Sequence, residues 1–149
     1  MPAGADMRGE WPSATELEDL VNRFRARMVP KAEWTHQAHI AVGTWHVHRY
    51  GVAGALVQLR EGICRLNDTH GTVNSDTSGY HETITRAYLL LIERGLTALP
   101  AANPLDAKVR ALLKTPLATK DALLAHYSRD VLLSAEARRR WIEPDRHPL

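Results

Sequence analysis

The sequence predicts an all-α protein, and three observations support that prediction. Apolar residues recur at spacings of three and four through most of the chain, which is the period of one helix face. No segment alternates apolar and polar residues between hairpin turns, so strands are not expected. Capping residues, glycines and prolines separate the periodic segments. We therefore expect one helical domain over residues 1–149, a bundle of four main helices followed by short C-terminal helices, with residues 1–12 as a flexible N-terminus.

The composition is that of a globular domain rather than a disordered chain, with 44% hydrophobic and 24% charged residues. The single cysteine, Cys64, excludes an intrachain disulfide and a cysteine-rich metal site, and we expect a buried, inert thiol in a reducing compartment. No apolar run approaches the roughly 18 residues of a membrane span, and residues 1–11 carry charged residues but no apolar run. A cytoplasmic protein without a membrane partner is expected.

The charges are nearly balanced, with 19 basic and 17 acidic residues and a net charge of +2. Such a balance does not favour nucleic acid as a partner. The arginines at 138–140 are the one basic cluster, so a nucleic-acid-associated factor is only the third interpretation.

The first two helices have clear start signals. Ser13 begins a Ser-x-x-Glu capping box with Glu16, and Pro30 ends the segment. The apolar stripe of this first helix consists of Leu17, Leu20, Val21, Phe24 and Met28. A second helix is predicted from the N-cap Thr35 to residue 50, before Gly51.

The later elements are predicted from the same signals. A third helix spans 52–66, a loop rich in turn formers spans 67–79, and a fourth helix spans 81–94 before Gly95. Shorter helices are expected over 105–114, 120–127 and from the N-cap Ser134 through 141. Long loops in compact domains are often functional, so the 67–79 loop is either a lid or merely flexible.

Three histidines of the second helix fall on a predicted core face. At about 100° per residue, His36, His39 and His46 share a face with Gly43. Burying an imidazole without a partner costs roughly 1–3 kcal/mol, so each ring needs a hydrogen bond or a metal. Gly43 would let a neighbouring helix or a ligand approach closely.

His81 begins the fourth helix and is predicted to face the same core. His36 and His39 at i, i+3, with His81 from another helix, would supply three neutral imidazoles to one divalent metal such as zinc, nickel or iron. A metal-bound water can serve as a nucleophile or base. This arrangement predicts a metal-dependent hydrolase or lyase that acts on a small molecule.

Glu82 and Tyr80 flank His81 at the start of the fourth helix. Either side chain would act as an acid, a base or a substrate contact beside the predicted metal. A second interpretation of Glu82 is an exposed ion pair with Arg86 at i, i+4.

A non-enzymatic function is the alternative. If carbonyls and hydroxyls satisfy the buried histidines, the protein is a helical module that binds a small ligand or a protein partner. An additional apolar face on a bundle would also favour a homodimer.

Three phrases of the chain resemble an uncharacterised bacterial family of helical proteins of about this length. They are Glu-Trp-Thr-His-Gln-Ala-His at 33–39, Asp-Thr-Ser-Gly-Tyr-His-Glu-Thr-Ile-Thr at 76–85 and the Ser-x-Glu-Ala-Arg ending with its Trp-x-Glu-Pro-Asp. The resemblance covers most of the chain and implies a bacterial helical protein without implying an activity. By fold alone, the predicted architecture is similar to the DinB-like metal-binding bundles, whose site uses three histidines. The His-x-x-x-His pair of those proteins is absent here.

Overall fold

Helices form all of the regular secondary structure in the residues that the computed structural model describes, 10–149. The six α-helices are α1 (Ala14–Arg25), α2 (His36–His70), α3 (Glu82–Ala98), α4 (Leu105–Leu112), α5 (Arg129–Leu132) and α6 (Ala135–Arg139). Short 3-10 helices lie at Lys31–Glu33, Pro116–Ala118 and Ala122–Ala125. The all-α prediction is confirmed. The expectation for residues 1–12 falls mostly on residues 1–9, outside the described range.

Helix α1 begins with the predicted capping box. The amide of Glu16 donates to the Ser13 hydroxyl oxygen at 3.1 Å, and the amide of Ser13 donates to the Glu16 carboxylate at 3.0 Å. The helix ends at Arg25, and Arg27 then adopts a φ of 61°. Met28 was predicted on the apolar stripe, but it is 68% exposed because the chain has left the helix before it.

Helix α2 joins the predicted second and third helices. Gly51, with φ 74° and ψ 175°, interrupts the helical geometry, and the chain continues as helix beyond it to His70. Gly71 ends the helix in a left-handed conformation. The predicted start of the loop at Asn67 is therefore wrong, and the buried Asn67 donates from its side-chain amide to Asn74 at 2.9 Å.

Helix α3 packs along α2, while α1 packs against α2 as well. The predicted end at residue 94 is wrong, because the helix continues through Gly95 to Ala98. A Cβ at Gly95 would lie 2.5 Å from a methyl carbon of Leu112, so this glycine allows α4 to contact α3.

The C-terminal segment is fastened to α3. The buried Thr83 hydroxyl donates to the Arg140 carbonyl at 2.7 Å and accepts from the Ile142 amide at 3.1 Å. The fully buried Tyr127 donates to the Ile142 carbonyl at 2.7 Å. Ser134 caps α6 as predicted, but α6 ends at Arg139 rather than at residue 141. The predicted helix over 120–127 forms only the Ala122–Ala125 turn.

None of the helices in the described range is both long and apolar enough to cross a membrane. Large exposed apolar side chains lie on separate elements, among them Met28 after α1, Val57 on α2 and Val73 in the loop. The homodimer stays a prediction.

Candidate functional site

A cavity of about 390 Å³ lies between α2 and α3, where the segment after α4 covers one end. Its apolar lining residues are Trp34, Ile40, Gly43, Leu59, Ile63, Ile84, Leu89 and Ile92. Its polar lining residues are Thr35, His36, His39, Thr85, Tyr88 and Lys120. Mostly apolar walls with a few polar groups are typical of small-molecule sites, and this volume is within their range.

His36 lies at the first turn of α2 and joins it to the covering segment. Its Nε2–H donates to the Leu117 carbonyl at 2.8 Å, and its ring meets the edge of Tyr88 at 5.1 Å between centroids. Tyr88, from α3, donates in turn to the Thr119 carbonyl at 2.9 Å. Side chains of both helices therefore hold residues 117–119 at the end of the cavity.

His39 lies one turn further along α2. Its Nδ1–H donates to the Thr35 carbonyl at 2.6 Å, and its ring packs on Trp34 at 3.9 Å between centroids. The side chain is exposed by surface area, although the Trp34 ring and other lining residues of the cavity displace water from part of it. Loss of hydration lowers the pKa of His39 to about 4, with smaller contributions from His36 and Lys120. The ring is therefore neutral at neutral pH.

In each of these two rings, only one nitrogen has a hydrogen-bond partner among residues 10–149. A carbonyl oxygen only accepts, so His36 carries its proton on Nε2 and His39 carries its proton on Nδ1. Nδ1 of His36 and Nε2 of His39 are left without a hydrogen-bond partner among residues 10–149. Every fully buried polar atom of a buried or half-buried side chain in that range has a partner, so Nδ1 of the half-buried His36 must be accessible, and His39 is itself an exposed side chain.

His81 does not join the other two histidines. It is the N-cap of α3 and is 6% exposed, and it is absent from the cavity lining. Its Nε2–H donates to the Leu132 carbonyl at 2.8 Å, while its Nδ1 accepts from the Ile84 amide at 3.0 Å. Burial lowers the pKa of His81, which keeps the ring neutral in this bridging role.

The predicted metal centre does not fit this geometry. A metal ligand must offer a nitrogen lone pair, and His81 already uses both of its nitrogens within the fold. Within residues 10–149, no group of three or more His, Cys, Asp and Glu side chains is arranged to hold a metal ion. Metal binding by His36, His39 and His81 stays a prediction that the arrangement of the rings does not favour.

Tyr80 and Glu82 face a different groove from the two cavity histidines. Glu82 pairs with Arg60 of α2, at 2.6 and 3.0 Å, instead of with Arg86 as one interpretation predicted. The Tyr80 hydroxyl donates to Glu82 at 2.7 Å, and both residues line the groove beside Cys64. The two side chains therefore do not line the cavity of His36 and His39.

The protonation states of this pair suit a structural role. Burial raises the pKa of Glu82, but the hydrogen bonds from Arg60 and Tyr80 outweigh it, and the net pKa is lowered. Burial, followed by the Glu82 contact, raises the pKa of Tyr80. The carboxylate thus stays ionised and the phenol stays protonated at neutral pH, and neither group is poised to exchange a proton.

The loop between α2 and α3 spans residues 71–81 and is held by the C-terminal arginines. Arg138 donates to the Gly79 carbonyl at 2.8 Å, and Arg139 pairs with Asp76 at 2.8 Å. Arg140 pairs with Glu136 at 2.8 Å. These contacts occupy the arginines that the third interpretation assigned to nucleic acid, and they favour a fixed loop over a lid.

The depressed pKa of His39 predicts a pH dependence of stability. The unfolded chain binds a proton near pH 6.5, whereas folded His39 binds one only near pH 4. The contribution of His39 to the free energy of unfolding should therefore be fully present above pH 6.5. It should decrease as the pH drops toward 4, because the unfolded state takes up more protons than the folded state in that window.

Urea unfolding at pH 7.5 and pH 5 measures this loss, and a ring-nitrogen NMR titration assigns it to His39. The His39→Gln variant should lose less stability between the two pH values than the parent protein. A variant that loses as much as the parent would show that His39 does not contribute.

The cavity is also lined by three polar residues that were not predicted as site residues, namely Lys120, Thr85 and Tyr88. Helical periodicity places Thr85 and Tyr88 on the inner face of α3, so that signal was present. Lys120 lies in an irregular segment, for which periodicity gives no direction. No family model matches the chain, and no curated protein or solved structure is found to be similar to it.

Proposed function

We propose that the protein binds a small apolar alcohol or phenol in the cavity between α2 and α3, as a binding module rather than as a metal enzyme. One observation carries the proposal. The cavity has mostly apolar walls, and its histidines His36 and His39 each have one ring nitrogen without a protein partner among the described residues. This is the alternative that the sequence analysis left open.

The apolar lining of the cavity favours a ligand whose main part is apolar. Isoleucine and leucine side chains from both helices, such as Ile40, Ile84 and Leu89, surround the space. Apolar surface that leaves water there contributes about 25 cal/mol per Å². A strongly polar body would lose its hydration without replacement.

The polar residues select the head group. Nε2 of the neutral His39 ring offers an acceptor, so the ligand must bring a hydrogen-bond donor. The Lys120 ammonium belongs to the same lining and disfavours a cationic donor such as an alkylammonium group. A hydroxyl satisfies both conditions, because it donates to an imidazole nitrogen and can accept from an ammonium.

Filling the cavity should abolish this binding. Ile84 is a half-buried lining residue, and Ile84→Trp places an indole into the space that the ligand would use. We expect the affinity for a 4-alkylphenol, measured by calorimetry, to fall at least tenfold, which is about 1.4 kcal/mol. The matched Ile84→Val variant should change it less than about threefold.

The head group is tested with a ligand pair. The methyl ether of the same phenol keeps the apolar body but has no donor, so it should bind about tenfold more weakly. In a His39→Phe variant, that preference for the phenol should shrink. Equal affinity of the parent protein for phenol and ether, or unchanged binding in Ile84→Trp, would refute the proposal.

A further inference from the structure

A second, polar cleft of about 190 Å³ lies between α1 and the two halves of α2. Its polar lining consists of Arg25, Arg27, His46, Gln58, Glu61 and Arg65. It shares no residue with the cavity between α2 and α3, so ligand binding in this cleft is independent of the function proposed for that cavity.

His46 is the buried polar group of this cleft. It is 1% exposed, and its ring packs edge-on against Phe24 and Trp45, at 5.8 and 4.9 Å between centroids. Its Nδ1–H donates to the Val42 carbonyl at 2.7 Å, which leaves Nε2 as an acceptor.

Nε2 of His46 has no hydrogen-bond partner among the described residues. Within those residues, every fully buried side-chain nitrogen or oxygen does have a partner. The small accessible surface of His46 therefore includes Nε2, and the cleft is the space that His46 lines. Burial, together with the Arg25 charge, lowers the pKa of His46, so the ring presents a lone pair rather than a proton at neutral pH.

The charge around this nitrogen is positive. Arg25 and Arg27 have no carboxylate within ion-pair distance in residues 10–149, whereas Arg65 pairs with Glu61 one turn away on α2. The Arg25 guanidinium lies over the Trp45 ring at 5.6 Å and donates to the Tyr50 hydroxyl at 3.4 Å. These contacts orient one cation next to the cleft.

We propose that this cleft binds inorganic hydrogen phosphate. The arginines would hold its anionic oxygens through charge-assisted hydrogen bonds. Its remaining P–OH would donate to Nε2 of His46. Sulfate has the same shape but no proton at neutral pH, so it would bring an anionic oxygen against the lone pair of His46. A phosphate monoester is mostly the unprotonated dianion at pH 7.5, so it also lacks a P–OH group to donate to Nε2 of His46.

The test is an NMR titration of the histidine ring nitrogens at pH 7.5 and constant ionic strength. Inorganic phosphate should shift Nε2 of His46 in a saturable way. Sulfate and phenyl phosphate should bind at least tenfold more weakly. Equal binding of the three anions would refute the role of His46, and the absence of a saturable shift with phosphate would refute the site.

Variants locate the site on the chain. Arg25→Gln and Arg27→Gln, which change exposed side chains, should each weaken phosphate binding at least fivefold. Arg49→Gln, an exposed arginine of α2 outside the cleft lining, should change it less than twofold. In His46→Phe, provided that it folds, phosphate and sulfate should bind equally. An equal loss in all three arginine variants would mean that only general charge attraction is present.

Discussion

Replacing His81 with alanine is expected to lower the free energy of unfolding by about 2–4 kcal/mol. The variant loses the N-cap of α3, because Nδ1 no longer accepts from the Ile84 amide. It also leaves the carbonyl of Leu132, a buried residue, without the proton of Nε2. Chemical denaturation of the parent and the variant measures the difference.

Two comparisons separate this structural role from metal ligation. His81→Asn should recover part of the loss, since asparagine is a good N-cap residue but is too short to replace the imidazole at Leu132. A chelator should leave the thermal stability of the parent protein unchanged. The opposite result would restore the metal-enzyme hypothesis. In that case, protein purified without a tag would contain near-stoichiometric metal, and both His36→Ala and His81→Ala would lose it.

Phe24→Ala is expected to destabilise the protein even more than the loss of His81, by about 3–5 kcal/mol. Phe24 is 2% exposed and stacks on Trp34 at 5.2 Å between centroids. Its ring also lies over Gly62, where a Cβ would be 2.5 Å from Cζ of the phenyl ring. The ring also meets His46 at 5.8 Å between centroids, so Phe24 joins α1 to both halves of α2, and its loss would leave a cavity between them.

The control for this prediction is the glycine beneath the ring. Gly62→Ala should destabilise the protein by about 1–3 kcal/mol through overpacking. Combining it with Phe24→Leu should cost less than the sum of the two single changes, because the smaller side chain makes room for the methyl group. Additive losses in the double variant would show that the two residues are not in contact.

Local signals in the sequence predicted most of the fold. An N-cap depends on residues within one turn, so its sequence signal is local. Helices α1, α2 and α6 begin at the predicted N-caps Ser13, Thr35 and Ser134. The predicted break at Gly51 is a kink, since a glycine permits a non-helical φ without preventing helix on both sides. The extension of α2 over 67–70 depends on a contact between Asn67 and Asn74, which periodicity does not encode.

The candidate site was predicted only in part. The rotation per residue correctly placed His36 and His39 on a common face, whereas His46, predicted on the same face, lines the cleft against α1. His81 lies just before α3, with φ −133° and ψ 110°, so helical rotation does not describe where its ring points. The partner of Glu82 is Arg60, 22 residues away, and only the fold brings the two together.

The first turn of α3 is completed by parts of the chain that are synthesised much later. The ring of residue 81 is held by a carbonyl 51 residues downstream, and the hydroxyl of Thr83 by one 57 residues downstream. During translation, the start of this helix therefore leaves the ribosome before its stabilising partners exist. The first turn of this helix can therefore reach its final set of hydrogen bonds only after residues 132 and 140 have been made, and the delay depends on the rate of elongation.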